Sequence, residues 1–267
     1  MTPSRTRSDW PFFVGLGLLS SLYLGLIVAM LVADLFYTTP AHIITALNTP
    51  EIRYAIRLSL LSSSITTLLA LWVAVPLGYL LSRVPFPGKW VIELLVDVPV
   101  VLPPLVVGLS LLILFQTAPG RLLGDRIPIT YEIPAVILAQ FAVSTAFAVR
   151  TMRVTFDQLS PRTEQVALTL GCSRSQAFWL VTFPEARRGL IAAATLAWAR
   201  SLGEFGPVLI FAGTTRMKTE VLPTTVFLEL SVGNLEAALA VSLLMIGIAL
   251  VVLLLLRLVG LRSAEVV

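Results

Sequence analysis

Apolar residues along this chain come in long runs, not in strict alternation and not as a one-sided stripe of helical period. Six stretches, residues 12–33, 58–81, 91–115, 133–152, 189–212 and 237–258, are predominantly apolar. A hydrocarbon core of about 30 Å takes roughly 20 residues of helix to cross, and in lipid every backbone N–H and C=O must be satisfied inside the segment. The pattern therefore predicts an all-α integral membrane protein with six transmembrane helices. Runs two and three are separated only by SRVPFPGKW (82–90), whose two prolines and one glycine suit a tight turn. An even number of spans leaves both termini on one side. Arg5 and Arg7 ahead of the first run could open a signal peptide. That run exceeds the usual ~7 to 15 residues of a signal core, however, and no convincing small-x-small site follows it, so it reads as a retained helix. The expected division is a short N-terminal tail (1–11), a transmembrane domain (12–258) and a short C-terminal tail (259–267).

Composition agrees. Hydrophobic residues make up 57% of the 267 and charged residues 13%, with a mean hydropathy of +0.92. These values exclude an ordinary soluble globular domain. The segments on the side of the termini carry twelve Lys and Arg, the opposite side carries six, and Arg200 falls inside a run. By the positive-inside rule both termini and the 153–188 segment are expected in the cytoplasm. The basic pI near 9.6 then reflects topology and not nucleic-acid binding. One cysteine, Cys172, and one histidine, His42, exclude a disulfide framework and a multi-ligand His/Cys metal site within a monomer.

The conspicuous polar interruption is residues 153–188. Within it, EQVALTLGCSRSQAFWLVTFP (164–184) places Val166, Ala167 and Leu170 on one face of a short helix, and Gly171 ends that helix. Ala177, Phe178, Leu180 and Val181 suggest a second short helix, which Pro184 is expected to stop. A helix, a glycine hinge and a helix projecting between spans could lie on the lipid surface or insert into a groove on a partner.

Glu164, Ala167, Leu170, Gly171 and Pro184 match in spacing the cytoplasmic signature of permease subunits of bacterial and archaeal ATP-binding cassette importers, which this chain resembles. Gln165, Val166 and Phe183 depart from that signature, with spacing and helix pattern preserved. The resemblance runs from about residue 53 to 258. Two stretches, DVPVVLPPLVVGLSLLILF (97–115) and LAWARSLGEFG (196–206), look like the third and fifth spans of molybdate permeases, with sulfate and tungstate permeases as relatives. The resemblance implies the type I importer permease fold, with coupling helices in the 153–188 loop that seat in an ATPase subunit. Residues 164–167, 170, 171 and 184, that is Glu164, Gln165, Val166, Ala167, Leu170, Gly171 and Pro184, are then the coupling residues. It also implies two ATPase subunits using ATP and Mg, a second permease subunit expected to be identical, and an extracytoplasmic binding protein delivering an oxyanion, with molybdate first and sulfate/thiosulfate or tungstate as alternatives. The location would be the bacterial or archaeal cell membrane. This chain would be no enzyme and would bind no cofactor, in keeping with its lack of a G-x-x-x-x-G-K-[ST] phosphate loop.

The apolar runs hold further candidates. Pro99, Pro103 and Pro104 interrupt helical hydrogen bonding in the third run, as a packing kink or as a bend shaping a pathway. Arg200 and Glu204 are spaced to pair along one helical face, either as a structural ion pair or near a gate. Ser201, Gly203 and Gly206 leave little bulk beside them, permitting close helix approach or an open lumen. Asp97 is a possible partner for Arg200 across the bundle, and Glu93 reads as interfacial. Glu220, Glu229, Glu236, Arg216 and Lys218 form a mixed polar outer loop, expected to be largely solvated, part of it meeting the binding protein. The rival from another class is a self-sufficient secondary carrier or channel. An intramembrane enzyme lacks a nameable nucleophile and base.

Overall fold

The computed structural model describes residues 10–124 and 126–265. The chain is helical, with no strand among the described residues. In order, the elements are α1 (Trp10–Tyr37), α2 (Pro40–Asn48), α3 (Pro50–Arg83), α4 (Lys89–Val101), α5 (Pro104–Gln116), α6 (Ala118–Gly124), α7 (Ile133–Gln158), α8 (Pro161–Thr169) and α9 (Arg174–Ala177). A π-helical turn (Phe178–Thr182) follows, then α10 (Phe183–Glu185), α11 (Arg187–Leu202), α12 (Gly206–Phe211), α13 (Leu222–Ser231) and α14 (Leu235–Glu265). Proline opens α3, α5, α7 and α8 within their first two positions, where its missing N–H costs nothing and its fixed φ already suits a helix. The expected tail 1–11 falls mostly outside the described residues, and α14 continues helically through most of the segment assigned to the C-terminal tail.

Four helices among the described residues, α1, α3, α7 and α14, are long and apolar enough to cross a membrane. The other two predicted runs are not single helices. The third is the pair α4 and α5, bent by 114°. Pro103 and its neighbour Pro104 permit the break: the helix closes with the Leu102 N–H on the Val98 carbonyl at 3.0 Å, and Pro104 then starts a new one. The fifth run divides into α11 and α12 across Gly203 to Phe205, with Pro207 in the opening turn of the second piece. Among the described residues, the six expected spans are thus four unbroken helices long enough to cross, one bent pair, and a fifth apolar run divided into two shorter helices.

The centre of the bundle is α3 packed along α7, with α11 laid against both. Ala70, Ala74 and Leu81 of α3 meet Ala148, Val149, Met152 and Phe156 of α7 and Ala193 and Ala197 of α11. Small side chains do this because lipid gives no hydrophobic drive between helices, so backbones must approach closely to gain dispersion contacts. Gly78 marks the tightest point. A Cβ there would stand 2.8 Å from the Met152 Cβ and 3.0 Å from the Arg153 backbone nitrogen. Gly78→Ala is therefore expected to lower the melting temperature of the detergent-solubilised protein, since overpacking costs about 1–3 kcal/mol and outweighs alanine's better helix propensity. Parent-like melting would mean that α3 and α7 do not meet this closely.

By contrast α1 buries none of its described side chains and is exposed over most of its length, and Leu61, Leu68 and Trp72 of α3 also face outward, as lipid-facing positions should.

Candidate functional site

The 153–188 loop is built by strong local signals. Ser160 caps α8, accepting the Arg162 N–H at 3.3 Å. At the other end the Gly171 N–H bonds the Leu168 carbonyl at 3.0 Å and the Cys172 N–H bonds the Ala167 carbonyl at 3.1 Å. That is a Schellman closure, and it requires the left-handed backbone that Gly171 adopts at φ +94°. Ser173 and Gln176 then form a reciprocal capping box, at 3.2 and 2.8 Å, that starts α9.

Pro184 does not stop the second helix as expected. The backbone passes through the π-helical turn, where the Phe183 N–H bonds the Phe178 carbonyl, and Pro184 falls in the opening turn of α10. The Ala186 N–H then bonds the Thr182 carbonyl at 3.0 Å, so the helical path runs on towards α11. The wider turn accommodates a residue that lacks the N–H for a regular i−4 bond.

The apolar face predicted on α8 is divided. Ala167 is buried, whereas Val166 and Leu170 point outward, Leu170 with 80% of its surface exposed. Trp179 and Leu180 from the second limb are exposed too, as is Gln165 of α8. The loop thus presents bulky apolar side chains on short, capped helices. Glu164 does the opposite, turning inward: Tyr79 of α3 donates to one carboxylate oxygen at 2.5 Å and Thr182 to the other at 3.2 Å. The Tyr79 ring packs edge-on against Phe156 of α7 and Phe178 of the π turn, with centroids 5.5 and 4.8 Å away. Neither Tyr79 nor Thr182 stood out in the sequence. The available signal was a tyrosine near the end of an apolar run, where its hydroxyl needs a partner.

Ion pairs line the same end of the bundle. Arg153 meets Glu93 at 2.9 Å, Arg150 meets Asp97 at 3.5 Å, and Ser82 donates to Asp157 at 2.6 Å. Asp97 therefore pairs with α7, not with Arg200, and Glu93 meets both Arg153 and Lys89.

The two broken spans meet at their breaks. A Cβ on Gly206 would stand 2.9 Å from the Pro104 Cβ, and one on Gly108 would stand 2.7 Å from the Pro207 Cα. Pro103 and Pro104 keep exposed surface at this junction, as does Gly203. Arg200 and Glu204 pair at 2.8 Å, Glu204 fully buried and the Arg200 guanidinium 5.7 Å from the Phe147 ring centroid. Ser201 is buried and donates to the Ala197 carbonyl at 2.8 Å, so its hydroxyl is committed to its own helix.

On the opposite end, the outer loop is less solvated than expected. Glu229 is buried, held by Arg216 at 2.8 Å and by Asn234 at 3.0 Å, and Lys218 pairs with Glu132. Glu220 is fully buried, and neither carboxylate oxygen meets a donor at hydrogen-bonding geometry. Burial raises its pKa above the ordinary carboxylate value, with the Arg216 charge opposing in part. Glu236 remains exposed and reaches His42 at 3.3 Å. Among the described residues no group of three or more metal-ligating side chains could hold a metal ion.

Comparison with known proteins gives the architecture a context. The chain is 36% identical over 234 residues to a probable molybdenum ABC transporter permease protein of Haloferax volcanii, covering 87% of this chain and 85% of the relative. It is 32% identical over 235 residues to the sulfate transport system permease protein CysT of Salmonella typhimurium, covering 87% and 85%. A solved bacterial alginate ABC transporter, in complex with an alginate pentasaccharide-bound periplasmic protein, has a chain that superposes with a TM-score of 0.75 at 18% identity over 95% of both chains, a likeness of fold. The model for the binding-protein-dependent transport system inner membrane component matches residues 74–264. With its apolar helices and this match over most of its length, the chain is a multi-pass membrane protein of the binding-protein-dependent transport system inner membrane component family.

Proposed function

We propose that this chain is the permease subunit of an ATP-driven importer for molybdate. Val166, Leu170, Trp179 and Leu180, left exposed on a capped and hinged loop, carry the reading, because apolar side chains on short amphipathic helices are what a partner groove accepts. The partner is an ATPase subunit, one for each of two permease chains, and it uses the ATP and Mg; this chain holds no nucleotide. A second copy of the chain completes the pathway, which the exposed Pro103, Pro104 and Gly203 at the junction line from one side. An extracytoplasmic binding protein delivers the anion to the end that carries Glu220 and Glu229. The Lys and Arg bias puts the 153–188 loop and both termini in the cytoplasm. Closure of the ATPase pair moves the loops and turns the pathway outward, an alternation between two packed states.

Molybdate is favoured by the resemblance of the third and fifth spans and by the molybdenum relative. A sulfate importer is the second reading, which the sulfate permease relative supports. The deciding experiment is binding-protein-dependent, ATP-driven uptake of labelled molybdate by the reconstituted complex, with tungstate and sulfate as competitors. Uptake blocked by tungstate alone is the expected result. Strong competition by sulfate, or no molybdate uptake, moves the assignment to the sulfate group. Transport that persists without any ATPase overturns the importer reading altogether.

A further inference from the structure

Four elements converge on one phenol. Tyr79 stands one turn before the end of α3, the longest helix of the central bundle. Its hydroxyl donates to Glu164 of α8, whose other oxygen accepts from Thr182 of the π turn. Its ring is wedged between Phe156 of α7 and Phe178 of the same turn. Four residues further along α3, Arg83 donates to the Leu159 carbonyl at 2.8 Å, holding the start of the loop. Val166 and Leu170 lie on the outward face of α8 while Glu164 is turned into the protein. The half-buried Glu164 carboxylate thus accepts from this chain's own α3 and π turn, while Val166 and Leu170 form the apolar outer face of α8.

We infer that Tyr79 is a positioning residue for energy coupling: through Glu164 it locks the docking loop to α3, so that loop and bundle move as one body. The bond is a hydroxyl donating to a carboxylate, the charge-assisted kind that is short and strong. Without it α8 would keep its own capping and its outward face, yet it could tilt without carrying α3 along. Packing alone would not produce that outcome, because Phe at this position retains both ring contacts. The inference rests on the reading of the loop as the ATPase dock.

The test uses the complete transporter, reconstituted with its ATPase subunits and binding protein, and measures anion taken up per ATP hydrolysed, with molybdate or sulfate according to which the uptake assay accepts. Tyr79→Phe should lower this ratio by roughly three- to tenfold while the ATPase subunits still copurify. Glu164→Gln weakens the same bond from the loop side and should reproduce the loss. The double variant should be no worse than the worse single one, because both act on the same link. A parent-like ratio in Tyr79→Phe, or additive losses in the double variant, would overturn the inference. Leu170→Arg separates this from the docking reading. If it retains the ATPase subunits, the loop is not the dock and both ideas fall; if it sheds them while Tyr79→Phe couples normally, only the role of Tyr79 falls.

Discussion

Gly171→Val will reduce ATP-driven uptake by roughly tenfold or more while the protein still inserts and folds, because a β-branched residue held at this φ costs about 1–3 kcal/mol. The strain is local. Nothing lies within 4 Å of the position a Cβ would take, so the variant meets no steric obstacle and suffers only in its backbone. Relief of that strain requires giving up the Schellman closure, which frays the last turn of α8 and re-aims Leu170, the most exposed apolar residue of the loop. Gly171→Asn is the matching control, since asparagine tolerates the left-handed region and should keep most of the uptake. Uptake and copurification of the ATPase, measured together, check the prediction. Unchanged transport in Gly171→Val would remove the loop from the coupling path.

Glu204→Gln is expected to be the most damaging single change within the bundle, lowering stability by about 2 kcal/mol and transport with it. The carboxylate is fully buried and faces Arg200 at 2.8 Å, and neutralising it leaves a partly buried guanidinium without its counter-charge. Breaking a buried pair by removing one partner is costly even where the intact pair contributes little net stability. The double variant Arg200→Gln with Glu204→Gln tells a structural pair from a gating one. If it recovers both melting temperature and uptake, the pair only relieves burial of charge. If it recovers melting temperature and remains inactive, one or both charges act at the junction where α11 breaks. A single Glu204→Gln variant that melts and transports like the parent would dismiss either role.

The loop shows how far local chemistry reaches. Ser160, Gly171 and the pair Ser173 and Gln176 lie within a few residues of the groups they satisfy, so the ends of α8 and the start of α9 follow from the chain alone. Pro184 is not fixed by its neighbours in sequence, because the same residue can end a helix or enter one through a widened turn. Its outcome depends on Phe178, Trp179 and Phe183 packing together on that turn. The inward turn of Glu164 depends on a hydroxyl 85 positions away, which no periodicity within the loop can reveal.

The same division holds for the spans. Length and apolarity follow from the thickness of the lipid core, and these were legible for α1, α3, α7 and α14. Where a proline or glycine falls inside an apolar run, the chain supplies only the permission to bend. The 114° turn at Pro103 and the break at Gly203 are chosen by the neighbours, since Pro104 packs on Gly206 and Pro207 on Gly108. Charges behave alike. Arg200 and Glu204 pair as their spacing predicts, while the partners of Asp97 and the burial of Glu220 depend on contacts between distant segments. Sequence by itself determined what the chain's backbone must do in lipid and how its short helices begin and end, because those are local demands for hydrogen bonds. The tertiary structure alone decided where the broken spans meet and which polar groups face inward, because those depend on what another helix offers at the same depth.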